Sequence, residues 1–478
     1  MAAEAETIHS KASPFHPAYY ILGILLIIQI RGDGYFPFPK TWPQDRLITI
    51  VLVHTLALVT LVGLSTYWLL ANRQIQAKPH HLTPVIAYGL IPVAAIIGIH
   101  TLHSLQSTYF SNVGYRSDGS ILLITSLLGA LPFVVYWLRV WKNKGHSAVF
   151  FLVCVLSSTL IMKSLPINLF PITAKRSDLL PILKKSSLSL YSGENPHRNY
   201  LLDNGINTPN VRFPGMILAY LPASITNNDL RLVTLIFEIL IFIILILKIR
   251  TKSGKEKEPM SIQWHVMIPL ICFMLLPYWH YRHELYEPPF WLILLLTFIA
   301  FDRGHTLGFA LGLGTMGLTH HWGVLFGPFL FMGFFRKKGA KPTILALLIA
   351  FIWCAAGYIL LVNGYIKDFF QQAFRTYDHF DTLMYFYPMS MYFSHLLVKF
   401  NLLKLLLPLK VMAQVPLLYL AWRYGKDTAS LAGILALSLT LFLMFNPVAW
   451  TYQYLLVVFL LILGWMFHSF QPASPSPT

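Results

Sequence analysis

Apolar residues dominate this chain in unbroken runs, not in the alternating or three-four spacing of elements that face water on one side. The stretches 47–71, 120–138 and 429–445 contain no formally charged side chain, and comparable runs recur toward the C-terminus. A run on the order of 20 apolar residues is what a helix needs to cross the hydrocarbon core of a bilayer. The pattern predicts spans near 17–31, 47–71, 83–103, 120–141, 147–170, 229–250, 262–278, 287–303, 306–319, 322–335, 342–363, 402–422, 428–446 and 450–468, about fourteen in all. Those between 262 and 335 are short enough to tilt, merge or re-enter.

The interruptions give a topology. Basic connections at 72–81, 139–146, 248–258, 336–341 and 423–426 all fall on one side of this arrangement, which the positive-inside bias makes the cytoplasm, with both termini inside. Two long segments then lie outside. The first, 171–228, holds an amphipathic helix at 177–190, a polar stretch at 192–212 and a short apolar helix at 213–225 that cannot span. The second, 364–401, is rich in aromatic and His residues (Tyr377, His379, Tyr385, Phe386, Tyr387, Tyr392 and His395) and suits helices lying at headgroup level. The expected fold is therefore all-α, a polytopic transmembrane helical bundle with two outer amphipathic helices after the fifth span. There is no internal repeat, and 471–478 reads as a solvated, disordered tail.

Composition excludes a soluble domain. Of 478 residues, 56% are hydrophobic and 12% charged, with mean hydropathy +0.60, where soluble proteins carry roughly 25% charged residues. The formal net charge of +17 would suggest nucleic acid in a soluble chain, but here many of the basic residues sit in the short loops between apolar runs. Cys154, Cys272 and Cys354 lie inside apolar runs and form neither a disulfide framework nor a metal spacing. The first residues show no removable signal peptide.

Ionisable groups at membrane depth are costly, so their placement carries the chemistry. The outer side offers Asp33, Asp118, Asp178, His280, Arg282, His283, Glu284, His320, His321, Arg375, Asp378, His379 and Asp381, which suits a cavity for a phosphorylated, membrane-embedded substrate. Each has a plainer reading. Asp178, between Lys175-Arg176 and Lys184-Lys185, reads equally as a surface acid of a basic interfacial helix. His280, Arg282, His283 and Glu284 share one short connection, either a site or an aromatic belt with Trp279 and Tyr281. Adjacent His320 and His321 point to different faces of a helix, which argues against a metal and leaves one imidazole for a phosphate. Glu238, mid-span, is expected to make a single interhelical hydrogen bond rather than relay protons. Asp33 in RGDG and Asp118 in RSDG read as turn residues.

Four strings carry a resemblance. Asp178 is followed by SLYSGENPHRN at 189–199 and RFPGMILAYLPA at 212–223; LTHHWGVLFGPFLF occupies 318–331 and NPVAWTYQYLLVVFLL 446–461. Together they resemble the GT-C glycosyltransferases that use polyprenyl-phosphate sugars, most closely glycosyltransferase family 87, across the chain from about residue 147. That family usually places its Asp in the first outer loop, whereas about five spans precede Asp178 here, so either 1–146 is an extension of about four spans or Asp33 holds the role. His197 also replaces the usual Tyr after Gly-x-Asn-Pro.

The resemblance implies a GT-C-like catalytic region at 147–470, including the outer loop 171–228. It implies transfer of a sugar, a mannose-like hexose favoured, from a polyprenyl-phosphate donor to a lipid or glycan acceptor, with inversion, on the extracytoplasmic face of a bacterial plasma membrane. Asp178 is then the base; His280, Arg282, His283, His320 and His321 bind the donor phosphate; Glu284, Asn195, His197, Arg212, Trp450 and Gln453 line the substrate cavity. No cofactor, metal or nucleic acid is expected. Other readings stay open: a transporter or flippase for a lipid-linked saccharide, a polymerase or ligase for such saccharides, and a non-catalytic envelope subunit.

Overall fold

The computed structural model describes residues 21, 23–24, 44–71, 116–143, 148–174, 177–253, 286–362, 364–378, 397, 402–446 and 453–469. These residues are mostly helical. In chain order the helices are α1 (Gln44–Ala71), α2 (Arg116–Asn143), α3 (Ala148–Leu169), α4 (Leu179–Tyr191), α5 (Pro214–Ile225), α6 (Leu230–Ser253), α7 (Pro288–Arg303), α8 (Thr306–Thr319), α9 (His321–Lys338), α10 (Ala340–Val362), α11 (Ile366–Asp378), α12 (Leu406–Tyr424), α13 (Thr428–Met444) and α14 (Tyr454–Ser469). The expected helices at 177–190 and 213–225 are present as α4 and α5. The predicted spans at 83–103 and 262–278 lie outside the described residues, as does most of 17–31.

The expected helical class fits, with one small addition in the first long connection. The polar stretch after α4 folds back on itself as an antiparallel hairpin of β1 (Asn199–Leu201) and β2 (Asn207–Pro209), with Tyr200 opposite Thr208. Strands of three residues leave no alternation to read, and side chains hold them in place. Lys185 of α4 donates to the Leu201 carbonyl, and Asp203 and Asn204 in the turn bond the backbone of Ala174.

Three helical stretches, Phe150–Leu169, Leu230–Lys248 and Ala340–Val362, are long and apolar enough to cross a membrane. Helix α10 shows what that composition does here. It buries one narrow face (Thr343, Ala346, Ala350) toward α8 and α9 and leaves Phe351, Ile352, Ile359 and Leu360 exposed, as a helix facing lipid would. Helix α14 is the opposite case, apolar on every face and buried from Tyr454 to Phe467 against α13, α1 and α7, with Trp291 stacked on Phe459.

Two polar devices tie the bundle together. Glu238 makes the interhelical hydrogen bond expected of it, and its partner is charged: Lys163 of α3 reaches it at 2.5 Å, and both side chains are buried. The sequence did not name that partner, because Lys163 lies 75 residues earlier, within a different apolar run. Nearby, Arg231 of α6 pairs with Asp229 and donates to the carbonyls of Ile167 and Phe170, satisfying acceptors that the C-terminus of α3 leaves open. At the far end of α7, Asp302 gathers Lys248, the Thr428 hydroxyl and, through its backbone carbonyl, Lys337. Three of the basic connections read from the sequence therefore adjoin one another.

Candidate functional site

At the other end of α7, about 24 Å away along a helix of 16 residues, several chain segments meet. Helices α4, α5, α7 and α9 each begin there, immediately after Asp178, Phe213, Glu287 and His320. Their starts are dictated locally. Pro214 and Pro288 occupy the first turn of their helices, where a missing N–H costs nothing. Contacts among the preceding residues show the convergence: the Arg212 guanidinium lies 5.2 Å from the Tyr286 ring, Tyr286 is 6.2 Å from His320, and Phe213 is 6.3 Å from His321.

Asp178 is half-buried at the head of α4 and makes no capping bond with its carboxylate; the Ser177 hydroxyl accepts the Leu179 N–H instead. The carboxylate is close enough to act on Tyr286. Burial pushes the pKa of the Tyr286 hydroxyl up to about 12, with Arg212 opposing and the negative charges of Glu287 and Asp178 adding to the rise. The charges of Arg212 and Asp178 thus both reach Tyr286. No ion pair within 4.0 Å joins them among the described residues, and the Nε of Arg212, itself 7% exposed, has no hydrogen-bond partner there.

The two histidines separate in role. His320 is not helical; its extended backbone (φ −156°, ψ 147°) breaks α8 from α9, so the expectation that the pair would point to different helix faces does not apply. Their rings lie 4.2 Å apart. His320 Nδ1 accepts the Trp322 N–H, which leaves Nε2 as the proton-bearing nitrogen, 4.0 Å from Glu287 Oε1. Burial holds the pKa of this imidazole well below its usual range, and the charges of His321 and Arg212 reinforce that. His321 retains accessible surface, packs on Trp322 at 4.0 Å, and feels the charges of Lys410 and Arg212.

Lys410 was not a candidate from sequence. It sits inside α12, is 5% exposed, donates to Asn446 and lies 4.1 Å from the Phe442 ring. Tyr286 and Glu287 were missed as well. The available signal was a lone lysine inside an apolar helix, which is costly unless it serves a partner or a site.

Other expected cavity residues are spent on the protein. Asn195 donates to Asp368 of α11 at 2.6 Å and accepts the His197 N–H, so its amide is occupied at both ends. Gly193, at φ +72°, takes the left-handed turn that ends α4, its N–H donating to the Leu190 carbonyl. His197 is fully buried against Phe369 of α11 and Asn210 rather than lining an opening. Gln453 is half-buried one residue ahead of α14. Asp33, His280, Arg282, His283, Glu284 and Trp450 lie outside the described residues.

His197 yields a pH prediction. Burial lowers its pKa from 6.5 to about 4, with the charge of Asp368 opposing. The unfolded chain then binds the proton more tightly, so stability present above pH 6.5 falls as pH drops toward 4, by up to about 3 kcal/mol. Melting of the purified protein between pH 7 and 4 should show this loss, and His197→Phe should flatten it; an equally steep profile in the variant contradicts the assignment.

Fold and site together define a helical protein with apolar, membrane-length helices and a buried arginine near two neutral histidines at a meeting of helix N-termini. Comparison with protein-family models, with curated proteins and with solved structures gives no match.

Proposed function

We propose that this protein is an integral membrane glycosyltransferase, with about fourteen spans in a GT-C-like arrangement. It moves a sugar, a mannose-like hexose favoured, from a polyprenyl-phosphate donor to a lipid or glycan hydroxyl on the extracytoplasmic face of a bacterial plasma membrane, with inversion. The observation that carries this reading is the buried Arg212, whose Nε has no hydrogen-bond partner among the described residues, beside Tyr286 where α5, α7 and α9 begin, with the charge of Asp178 at the head of α4 reaching the same tyrosine.

The chemistry follows from that placement. Each helix N-terminus presents roughly half a positive charge and free N–H groups, a setting that favours an anion. Arg212 and the charge of Lys410 add to it, and His321, kept neutral by burial and by those two charges, which lower its pKa to about 3, offers a hydrogen bond. The donor phosphate binds there and gains negative charge as its bond to the anomeric carbon breaks, which the fixed positive groups stabilise. On the opposite face of the sugar the acceptor oxygen forms the new bond and its proton passes to Asp178, whose carboxylate no helix cap consumes. One displacement inverts the anomeric carbon. No acid is needed for a leaving group that is already a phosphate.

The test is transfer of radiolabelled sugar from polyprenyl-phosphate donors to endogenous acceptors in membranes carrying wild-type protein, Asp178→Asn or Asp33→Asn at equal levels. Loss in Asp178→Asn alone supports the assignment. Loss in Asp33→Asn alone moves the base to Asp33, and no transfer by wild type refutes the reading.

A further inference from the structure

Helix α5 packs against α4, α7 and α8 at the site without contributing a charged group to it. Its N-terminal turn lies against the end of α8, where a Cβ on Gly215 would come within 2.9 Å of both the Leu318 carbonyl oxygen and the Thr319 hydroxyl. Only glycine permits that approach, which fixes the segment leading into His320 and His321. In the middle of α5 the Ile217 carbonyl accepts the Ser187 hydroxyl of α4 at 3.0 Å, tying down the helix that Asp178 heads. One turn further on, the fully buried Tyr220 hydroxyl meets the Tyr286 carbonyl at 3.1 Å and the Thr234 hydroxyl at 2.7 Å. That fixes the ring on which Arg212 rests and the start of α7.

We propose that α5 is the positioning element of the site: Tyr220 sets the phosphate side through Tyr286 and Arg212, and Ser187, bonded to α5, sets the carboxylate side through α4. This rests on the phosphate-donor reading given above. The consequence is a division of labour between two uncharged residues that do not touch the donor. Loosening Tyr286 disturbs the stacking partner of Arg212 and weakens phosphate binding. Loosening α4 from α5 lets Asp178 drift from the acceptor oxygen and slows the chemical step with the phosphate still bound. A purely structural role would lower the active fraction in both variants alike.

The experiment uses full-length protein in detergent and two variants that each remove one oxygen, Tyr220→Phe and Ser187→Ala. Dodecyl phosphate binding is measured by calorimetry, and transfer from a polyprenyl-phosphate sugar by KM and kcat. Tyr220→Phe is expected to weaken dodecyl phosphate binding and raise donor KM by about five- to tenfold, with kcat nearly kept. Ser187→Ala is expected to bind dodecyl phosphate as wild type does, with kcat down about tenfold. Equal changes in both variants, or no change in either, overturn the inference while leaving the phosphate site standing. Wild-type protein that takes up no dodecyl phosphate overturns the site reading and this inference with it.

Discussion

Asp178→Asn is expected to lower sugar transfer by about 10²- to 10⁴-fold while leaving donor binding unchanged, the largest effect of any single substitution in the site. The amide has nearly the same shape and cannot take the acceptor proton. Because the carboxylate makes no capping bond at the head of α4, with Ser177 accepting the Leu179 N–H, the substitution should cost little stability. The checks are initial transfer rate, dodecyl phosphate affinity and melting temperature on the same preparations. A variant that loses affinity and rate together would place Asp178 among the donor-holding groups instead.

The largest effect on stability is expected from Lys163→Met, which leaves Glu238 buried without its cation between α3 and α6. Breaking a buried pair from one side costs about 3–5 kcal/mol, mostly because the remaining charge has lost its compensation. The double variant Lys163→Met/Glu238→Leu removes both charges and should recover most of that loss, since an apolar pair of similar volume suits this apolar setting. Thermal unfolding in detergent measures both. Equal destabilisation in the single and double variants would show that Glu238 does not depend on Lys163.

Much of the bundle was legible because its signals are local. Runs of apolar residues marked α1, α3, α6, α10 and α13 within a few residues of their ends. The apolar string opened by Pro214 marked α5, and the basic amphipathic stretch after Asp178 marked α4. Asp178 and Arg212 were candidates before their surroundings were known. Pairings across the bundle were not legible, since periodicity says which face is apolar and nothing about what meets it. Lys163 and Lys410 each interrupt an apolar run, and Glu287 stands at the edge of one, with nothing local to name a partner. The reading of His320 and His321 gave both the geometry of helix residues, whereas His320 is extended between α8 and α9. The motif around Asn195 pointed to a substrate contact and gave no sign that its amide fastens α11 to the loop after α4.

Helix starts carry positive partial charge and so do not by themselves favour the buried Arg212; the arrangement as a whole suits an anion. An arginine with an unsatisfied Nε is costly in a buried setting, and that cost is offset when an anion arrives. The same argument assigns separate tasks to the histidines. His320 is held as a neutral cap on α9 by the Trp322 amide and faces Glu287, whereas His321, accessible and beside Lys410 and Arg212, is the imidazole available to a phosphate.

The most direct test of the central claim is calorimetric titration of the purified protein with dodecyl phosphate, comparing wild type with Arg212→Gln and using dodecyl maltoside as the uncharged control. The account predicts saturable one-to-one binding by wild type, no response to the control, and binding weakened at least about tenfold in Arg212→Gln, the loss expected when a charge-assisted hydrogen bond is removed. Binding of equal strength in the two proteins would contradict it, because the phosphate would then be held somewhere other than the point where these helices begin.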